Sequence, residues 1–467
     1  MKNFFFNTLS KYGQNIALID ENENSYSYKE LNFLVNEYSK TLNNYNLAFL
    51  IANNTLDFIV SYLSLLRSNV LVVLLDRQIR KENLIRLLNL YKPDIIIRTS
   101  EDNLPIHNLR CVKNNKNHGI YLFNKKKKII NKKIAQLIST SGTTGSEKFV
   151  KQSFKALDDN IKKISNFLKI SSEDNTITTM DPHYTYALSI INTHIYKGAT
   201  VVLNNSSFFE KKFWEKFEKY KINTFGGVPF HYEMLKKLKF HEKKINHLKY
   251  ITQAGGKIND LVLDYFIDIS KKKNFKFFVM YGQTEAISRI SILDYRFLRK
   301  YKGSVGKPLR GYKIWISKKN NLDQKKNGEI IFSGKNIMSG YSQNLKDLEK
   351  IENIKIHDTG DIGYINNEGF IFITGRKKRY IKFYGHRINL DDIEKKINLK
   401  KTICACEEIN NKIYLFLLKD INSDLIFNKY LRNIFYSKKN INFFLVKEIP
   451  KNNNNKIDYK KLIKFLK

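Results

Sequence analysis

Cysteine is scarce: only Cys111, Cys404 and Cys406 occur in 467 residues. So small and odd a set excludes a disulfide framework and fits a reducing cytoplasm. Cys404 and Cys406 have no second pair at metal-ligand spacing, so they read as two small residues on one face of a strand, not as a zinc site. Long apolar runs are also missing. Val70–Leu75 is typical of the longest, far below the ~18–20 residues a membrane span needs. The opening MKNFFFNTLSKYG has no extended apolar core and no small-residue cleavage site, so it reads as an amphipathic first helix and not a signal peptide. Arginine is scarce as well, at 14 of 82 cationic residues, and 44 acidic residues leave a formal charge of +38. Such a charge suggests nucleic acid or an anionic surface. The excess, however, is lysine, whereas arginine is the better reader of phosphates and bases. The lysines are scattered in short runs such as Lys125–Lys128 and Lys271–Lys273, among Asn and Ile. All three residues have A/T-rich codons, so drift in base composition accounts for them, and nucleic acid is not expected as a partner.

Apolar residues make up 42% of the chain, with 27 Tyr and 32 Phe. At this length one core does not suffice, and two or three packed units are expected. Leu31, Leu34, Val35, Tyr38 and Leu42 form a stripe at helical spacing. Short apolar runs at Ala48–Ala52, Val70–Leu75, Ile95–Ile97 and Thr200–Leu203 alternate with helical stretches. That alternation predicts an α/β fold with buried strands. Beyond residue 300, turn residues separate short strands at Lys313–Ser317, Glu329–Ser333 and Gly369–Thr374, which predicts a β subdomain. The final stretch predicts a small α+β unit: helix Asp391–Leu399, strand Lys412–Leu418, helix Asp424–Tyr436 and strand Phe443–Val446. The boundary falls at Arg376–Arg379, giving an N-terminal domain over 1–376 and a C-terminal domain over 377–467.

Thr140, Ser141, Gly142, Thr143, Thr144 and Gly145 follow the strand-like Ala135–Ile138, with Lys148 three residues on. Glycines let successive backbone N–H groups face an anion, and hydroxyls add rotatable donors. The spacing differs from the common nucleotide loop G-x-x-x-x-G-K-[ST]. On these residues alone, an anion cradle and a turn rich in Ser, Thr and Gly stand level.

The run resembles the phosphate-binding loop of the adenylate-forming superfamily, which includes acyl-CoA synthetases, peptide-synthetase adenylation domains, D-alanyl carrier-protein ligases and beetle luciferases. Glu147 and Phe149 stand where that family has Pro and Gly. Further matches follow in the family's order. Tyr281-Gly282-Gln283-Thr284-Glu285 is similar to Y-G-x-T-E, and Ala254-Gly255-Gly256 to the glycine strand beside adenine. His357-Asp358-Thr359-Gly360-Asp361 and Gly375-Arg376 resemble the ribose motifs. Pro450–Asp458 resembles P-K-T-x-x-G-K-[IV]-D, with Asn455 in place of Gly and the spacing to Lys456 kept. Asn is the residue that best tolerates positive φ after Gly. The resemblance runs from Ser25–Leu31 to Lys456.

The resemblance implies a large N-terminal domain of layered α/β subdomains plus a β subdomain, then a small mobile C-terminal domain. It implies ATP and Mg²⁺, with Tyr281 stacked on adenine, Thr284 on the α-phosphate, Glu285 on the metal, Asp361 on the ribose hydroxyls and Arg376 on ribose or phosphate. Lys456 would bridge the reacting anions, with Lys148 more peripheral. Lys378 would be the pivot of the C-terminal domain, and Gly385 would let a pantetheine arm pass. The implied reaction joins a small carboxylic acid to coenzyme A, or to the phosphopantetheine of an acyl carrier protein, by way of an acyl-adenylate. His183, Tyr184, Tyr186 and Ala187 would line the acid pocket, with Asn192 and Phe230 as further walls. Amino-acid-activating members hold the ammonium with an Asp. Ala187 occupies that place when Leu188-Ser189 is aligned, although a small shift of register would bring Asp181 there instead. A buried ammonium without a counter-ion is costly, so an ordinary α-amino acid is disfavoured. Amino-acid loading onto a carrier protein, and a basic binding protein that keeps the fold without catalysis, remain as alternatives.

Overall fold

The computed structural model describes residues 4–99, 110–115, 118–123, 128–139, 148–317, 327–383, 386–398, 404–409, 412–418, 421–432, 441–452 and 457–466. They belong to two compact units, one drawn from residues within 1–140, 146–313 and 332–357, the other mainly from residues within 314–331 and 358–467. Among the described residues no helix is long and apolar enough to cross a membrane.

Two mixed sheets carry the first unit. The eight-stranded sheet runs Tyr341–Ser342, Phe149–Ser153, Ile134–Ser139, Leu71–Asp76, Leu47–Ala52, Ile95–Arg98, His118–Leu122, Arg110–Asn115. Its central strands are parallel. Leu47, Phe49 and Ile51 enter one core, while Ala48, Leu50 and Ala52 enter another. Burial on both faces is what makes these strands continuous apolar runs instead of alternating ones. The nine-stranded sheet runs Lys307–Pro308, Ser291–Leu293, Lys276–Tyr281, Tyr250–Gln253, Thr224–Gly227, Asn175–Ile177, Thr200–Val202, Ile16–Ile19, Ser25–Ser27. Thr224–Gly227, Tyr250–Gln253 and Lys276–Tyr281 lie parallel and in step.

Helices cover the sheets. Tyr28–Leu42 starts at Ser27, whose hydroxyl accepts from the Glu30 N–H while Glu30 takes the Ser27 N–H, a reciprocal cap. The expected stripe points inward, with Leu31, Val35 and Leu42 buried. The opening residues differ from expectation. They form two short 3-10 turns, Phe5–Asn7 and Leu9–Tyr12, not an amphipathic α-helix. Phe5 and Phe6 are both buried, and adjacent residues do not share one face of an α-helix.

The second unit holds a four-stranded sheet in the order Lys313–Ser317, Gly328–Ser333, His357–Ile365, Ile371–Arg376. A hairpin follows (Tyr380–Phe383 with His386–Asn389), then helix Leu390–Asn398 and the three-stranded sheet Cys404–Ile409, Lys412–Leu418, Ile441–Val446. Cys404 and Cys406 fall in one core with Ile393 and Leu415, and Ala405 in another with Phe416 and Leu462. The two thiols therefore share one strand face, as expected, and neither is in a disulfide among the described residues. The helix expected over Asp424–Tyr436 begins as Ser423–Ile426 and widens into a π-helix over Phe427–Leu431; residues 433–436 lie outside the described part.

Candidate active site

Three parallel strands of the nine-stranded sheet end side by side on glycines or on the residues before them: Gly226-Gly227, Gln253 ahead of Gly255-Gly256, and Tyr281-Gly282. The carboxyl ends of such strands are where open α/β sheets bind ligands. Here the glycines are required sterically. A Cβ on Gly282 would lie 1.6 Å from the Ser288 carbonyl oxygen and 2.8 Å from the Arg289 Cα, both backbone atoms. Gly255 has φ +86°, and a Cβ there would meet the Tyr184 hydroxyl at 2.5 Å. The Gly256 carbonyl accepts from Gln253 Nε2 at 2.8 Å. Beside this edge Gln283 Nε2 donates to the Tyr281 hydroxyl at 3.1 Å, and Gln283 Oε1 lies 3.2 Å from His357 Nε2. The Tyr281 ring is thus fixed by a chain of polar contacts.

After Gly282 the backbone tightens into the 3-10 turn Thr284–Ala286. Gln152 Nε2 donates to the Thr284 carbonyl at 2.9 Å, and the Met338 N–H to the Glu285 carbonyl at 2.8 Å. Glu285 Oε1 accepts the Tyr341 hydroxyl at 3.0 Å. Burial and that carboxylate hold the Tyr341 phenol well above its ordinary pKa, so it stays a donor. Lys148 Nζ sits 5.3 Å from the centre of the Tyr341 ring. Ile287 then takes φ +63° and ψ −54°, with the Ser288 N–H donating to the Ala286 carbonyl at 2.7 Å. This is the strained form of γ-turn, rare for any residue and costly for a β-branched one, by about 1–3 kcal/mol. Strain of this kind persists where the surroundings over-determine it, and here it turns the chain from Glu285 to Arg289.

The acid-side residues fall on helix Thr185–Tyr196 and the turn before it. The helix is buried from Thr185 through Ile195, which is why it carries no amphipathic pattern. His183 Nε2 lies 3.7 Å from Asp76 Oδ2, and His183 Nδ1 is buried without a hydrogen-bond partner. The Tyr184 phenol is pushed up to about 12 by burial. The Tyr186 hydroxyl donates to the Thr252 carbonyl at 2.7 Å, and its ring lies under the Arg289 guanidinium at 4.7 Å. Ala187 is buried one residue on. Asp181 lies 3.7 Å from Arg77 Nε. Asn192 donates to the Tyr62 hydroxyl at 3.1 Å, so it serves packing. Arg289 is the residue the motifs did not single out. It is 1% exposed, and Nη1 donates to Ser189 Oγ at 2.9 Å. Burial lowers its pKa from the ordinary arginine value, yet leaves a guanidinium at neutral pH.

In the second unit, Asp361 and Arg376 face each other across antiparallel strands, with Arg376 Nε 2.9 Å from Asp361 Oδ1. Asp361 is buried, whereas Arg376 is exposed. Lys378 lies in the 3-10 turn Lys377–Arg379. Lys377 Nζ is 2.9 Å from Glu329 Oε1. Arg379 pairs with Asp391 at 2.7 Å, Glu394 at 2.6 Å and Glu407 at 3.0 Å, and lies over the Tyr459 ring. Thr140, Ser141, Gly142, Thr143, Thr144, Gly145, Gly385 and Lys456 lie outside the described residues. Among the described residues no group of three or more His, Cys, Asp or Glu is arranged to hold a metal. One carboxylate completed by nucleotide phosphates is nevertheless how Mg²⁺ is commonly held.

The family model described as AMP-binding enzyme matches residues 5–342. A 2-succinylbenzoate–CoA ligase of Bacillus pumilus (strain SAFR-032) is 29% identical over 262 residues, which is 56% of this chain and 52% of that protein. An oxalate–CoA ligase of Saccharomyces cerevisiae is 28% identical over 267 residues, 55% of this chain and 47% of that protein. In both cases the matched stretch spans about half the relative's length. The fold is similar to that of the o-succinylbenzoate coenzyme A synthetase of Bacillus subtilis solved with ATP and magnesium ion, with TM-score 0.78 and 21% identity over 98% of this chain and 99% of that one.

Proposed function

Because this chain belongs to the AMP-binding enzyme family, we propose that it is an ATP-dependent ligase that activates a small carboxylic acid as its adenylate and passes the acyl group to coenzyme A. The observation that carries this reading is the corner Tyr281–Glu285: a braced aromatic ring, a glycine with no room for a side chain, and a carboxylate, all at the carboxyl edge of a parallel sheet.

In the first step a carboxylate oxygen attacks the α-phosphorus, a P–O bond forms, and pyrophosphate leaves with the electron pair of the broken bond. Both reactants are anions, so catalysis rests on positioning and fixed positive charge. In the second step a thiolate sulfur attacks the acyl carbon and AMP leaves. Tyr281 stacks on the adenine, with Gly255, Gly256 and Gly282 beside it. Thr284 meets the α-phosphate. Glu285 holds Mg²⁺, and the donor chemistry fits: one oxygen is anchored by Tyr341 and the other takes no hydrogen bond among the described residues. Bound Mg²⁺ supplies charge neutralisation on the phosphates. Asp361 takes the ribose hydroxyls, with Arg376 already paired to it. Thr140, Ser141, Gly142, Thr143, Thr144 and Gly145 cradle the phosphates, with Lys148 at the rim. Lys456 bridges the acid and phosphate oxygens.

His183, Tyr184, Tyr186 and Ala187 line the acid pocket. The buried Ala187, without a carboxylate, favours a substrate other than an α-amino acid. Residues 377–467 act as the small C-terminal domain that turns about Lys378, with Gly385 clearing the pantetheine arm. Its separate cores, built only from residues 390–466, support its being a body of its own.

The test is chromatographic. The full chain with ATP, Mg²⁺, coenzyme A and a panel of acids should release AMP and consume the thiol in equal amounts for a subset of acids. Absence of AMP with every acid would sink the ligase reading. AMP release that requires a phosphopantetheinylated carrier protein would move the acceptor from coenzyme A to that protein.

A further inference from the structure

Four polar side chains run through the core to the turn that carries Thr284 and Glu285. Asn192, Tyr62, Gln136 and Gln152 are each 1% exposed or less. The Asn192 amide donates to the Tyr62 hydroxyl at 3.1 Å. That hydroxyl donates to Gln136 Oε1 at 2.8 Å, and Gln136 Nε2 donates to Gln152 Oε1 at 2.7 Å. Gln136 and Gln152 are cross-strand partners in the eight-stranded sheet. Gln152 Nε2 then donates to the Thr284 carbonyl at 2.9 Å and lies 3.5 Å from the Ile287 carbonyl. Amides inside apolar strands are costly to bury, and a satisfied buried network fixes one arrangement of the groups it joins.

The chain runs in one direction. Burial pushes the Tyr62 phenol up, so the hydroxyl keeps the proton it donates. Side-chain amides can turn around and hydroxyls can rotate. Asn192 Oδ1 is buried without a partner and could take the Tyr62 proton. Reversed to its end, however, the chain would set Gln152 Oε1 against the Thr284 carbonyl, two acceptors face to face. A carbonyl oxygen only accepts. The turn therefore fixes the direction, and the chain in return aims the Gln152 amide at the turn.

The other carbonyls of the turn have donors of their own. The Met338 N–H donates to the Glu285 carbonyl at 2.8 Å, Asn336 Nδ2 to the Ala286 carbonyl at 2.7 Å, and the Thr185 hydroxyl to the Ile287 carbonyl. Among the described residues Gln152 is the one side chain that donates to the Thr284 carbonyl.

We propose that Gln152 is a positioning residue of the adenylation step. Aimed by Gln136 and Tyr62, it sets the Thr284–Glu285 backbone so that the threonine meets the α-phosphate and the carboxylate meets Mg²⁺. The proposal rests on the ligase reading above. Gln152 is itself buried and acts through the Thr284 carbonyl alone.

The experiment follows acid-dependent exchange of labelled pyrophosphate into ATP as Mg²⁺ is varied, with thermal unfolding of each variant alongside. In Gln152→Met the Mg²⁺ concentration for half-maximal exchange should rise roughly tenfold and kcat should fall by a similar factor, while KM for the acid stays within about twofold. A loss of folded protein alone would lower the rate without moving the Mg²⁺ dependence. Gln136→Met and Tyr62→Phe should shift that dependence in the same direction by less. The double variant Gln136→Met, Gln152→Met should need no more Mg²⁺ than Gln152→Met, since the first residue acts through the second. A folded Gln152→Met with the Mg²⁺ dependence of wild type would overturn the proposal, and so would a double variant whose effects add. Should Gln152→Met not fold, Tyr62→Phe decides, because it removes only a hydroxyl: an unchanged Mg²⁺ dependence there overturns the proposal. Wild type that shows no exchange with any acid would instead remove the ligase reading, and this proposal with it.

Discussion

The carboxyl edge of the nine-stranded sheet and the buried region around helix Thr185–Tyr196 are finished to different degrees. On one side Tyr281, Gln283 and His357 form a closed chain of contacts, and Glu285 is anchored by Tyr341. On the other side Arg289 Nε, Thr176 Oγ1 and His183 Nδ1 are buried and unpartnered. Native structures seldom leave such groups unmet, and each one calls for an explanation. The contrast separates a corner braced by its own side chains from a buried region that keeps unmet polar groups. Folding energy built the first. The second stores a desolvation cost.

The sharpest way to break the comparison is on the finished side. Gly282→Val should destabilise the chain by about 3 kcal/mol or more, since its Cβ meets backbone and not a movable side chain; urea unfolding reads the change. A loss below about 1 kcal/mol would show that this corner is looser than described.

Acid stability probes the other side. Burial lowers His194 from its ordinary value to about 4. Between about pH 6.5 and pH 4 the unfolded chain binds a proton that the folded chain refuses, so stability should fall with pH across that window, by up to about 3 kcal/mol, and level off above it. His194→Gln should flatten the slope measured by thermal unfolding against pH.

Arg289→Met should leave stability unchanged or raise it by about 1–2 kcal/mol, as replacement of buried charges by apolar groups often does. A loss comparable to that of Gly282→Val would place Arg289 with the scaffold. Smallest is Tyr341→Phe, which removes the hydroxyl that orients Glu285. Stability should move by about 1 kcal/mol or less, with Mg²⁺ affinity in the ATP complex falling roughly tenfold.

Much of the fold was legible because its signals are local. The apolar runs of the central strands mark burial on two faces, and Ser27 with Glu30 marks a helix start. The Tyr281–Glu285 motif was legible through its resemblance to a family pattern, whose residues lie next to one another in sequence. What escaped was set by tertiary contact. The opening residues follow no helical stripe because adjacent phenylalanines are both buried. The π-helical turn over Phe427–Leu431 has no composition of its own. Arg289 in sequence is one of 14 arginines. Only the fold places it beneath the surface beside Tyr186, with no carboxylate partner among the described residues. The strained turn at Ile287 could not be read either, since nothing about isoleucine announces a positive φ.

The most direct measurement of the central claim is exchange of labelled pyrophosphate into ATP by the intact chain, with and without acid, in wild type and Glu285→Ala. The account predicts exchange that requires both a carboxylic acid and Mg²⁺ and that is lost in the variant. Exchange absent for every acid, or undiminished in Glu285→Ala, would contradict it.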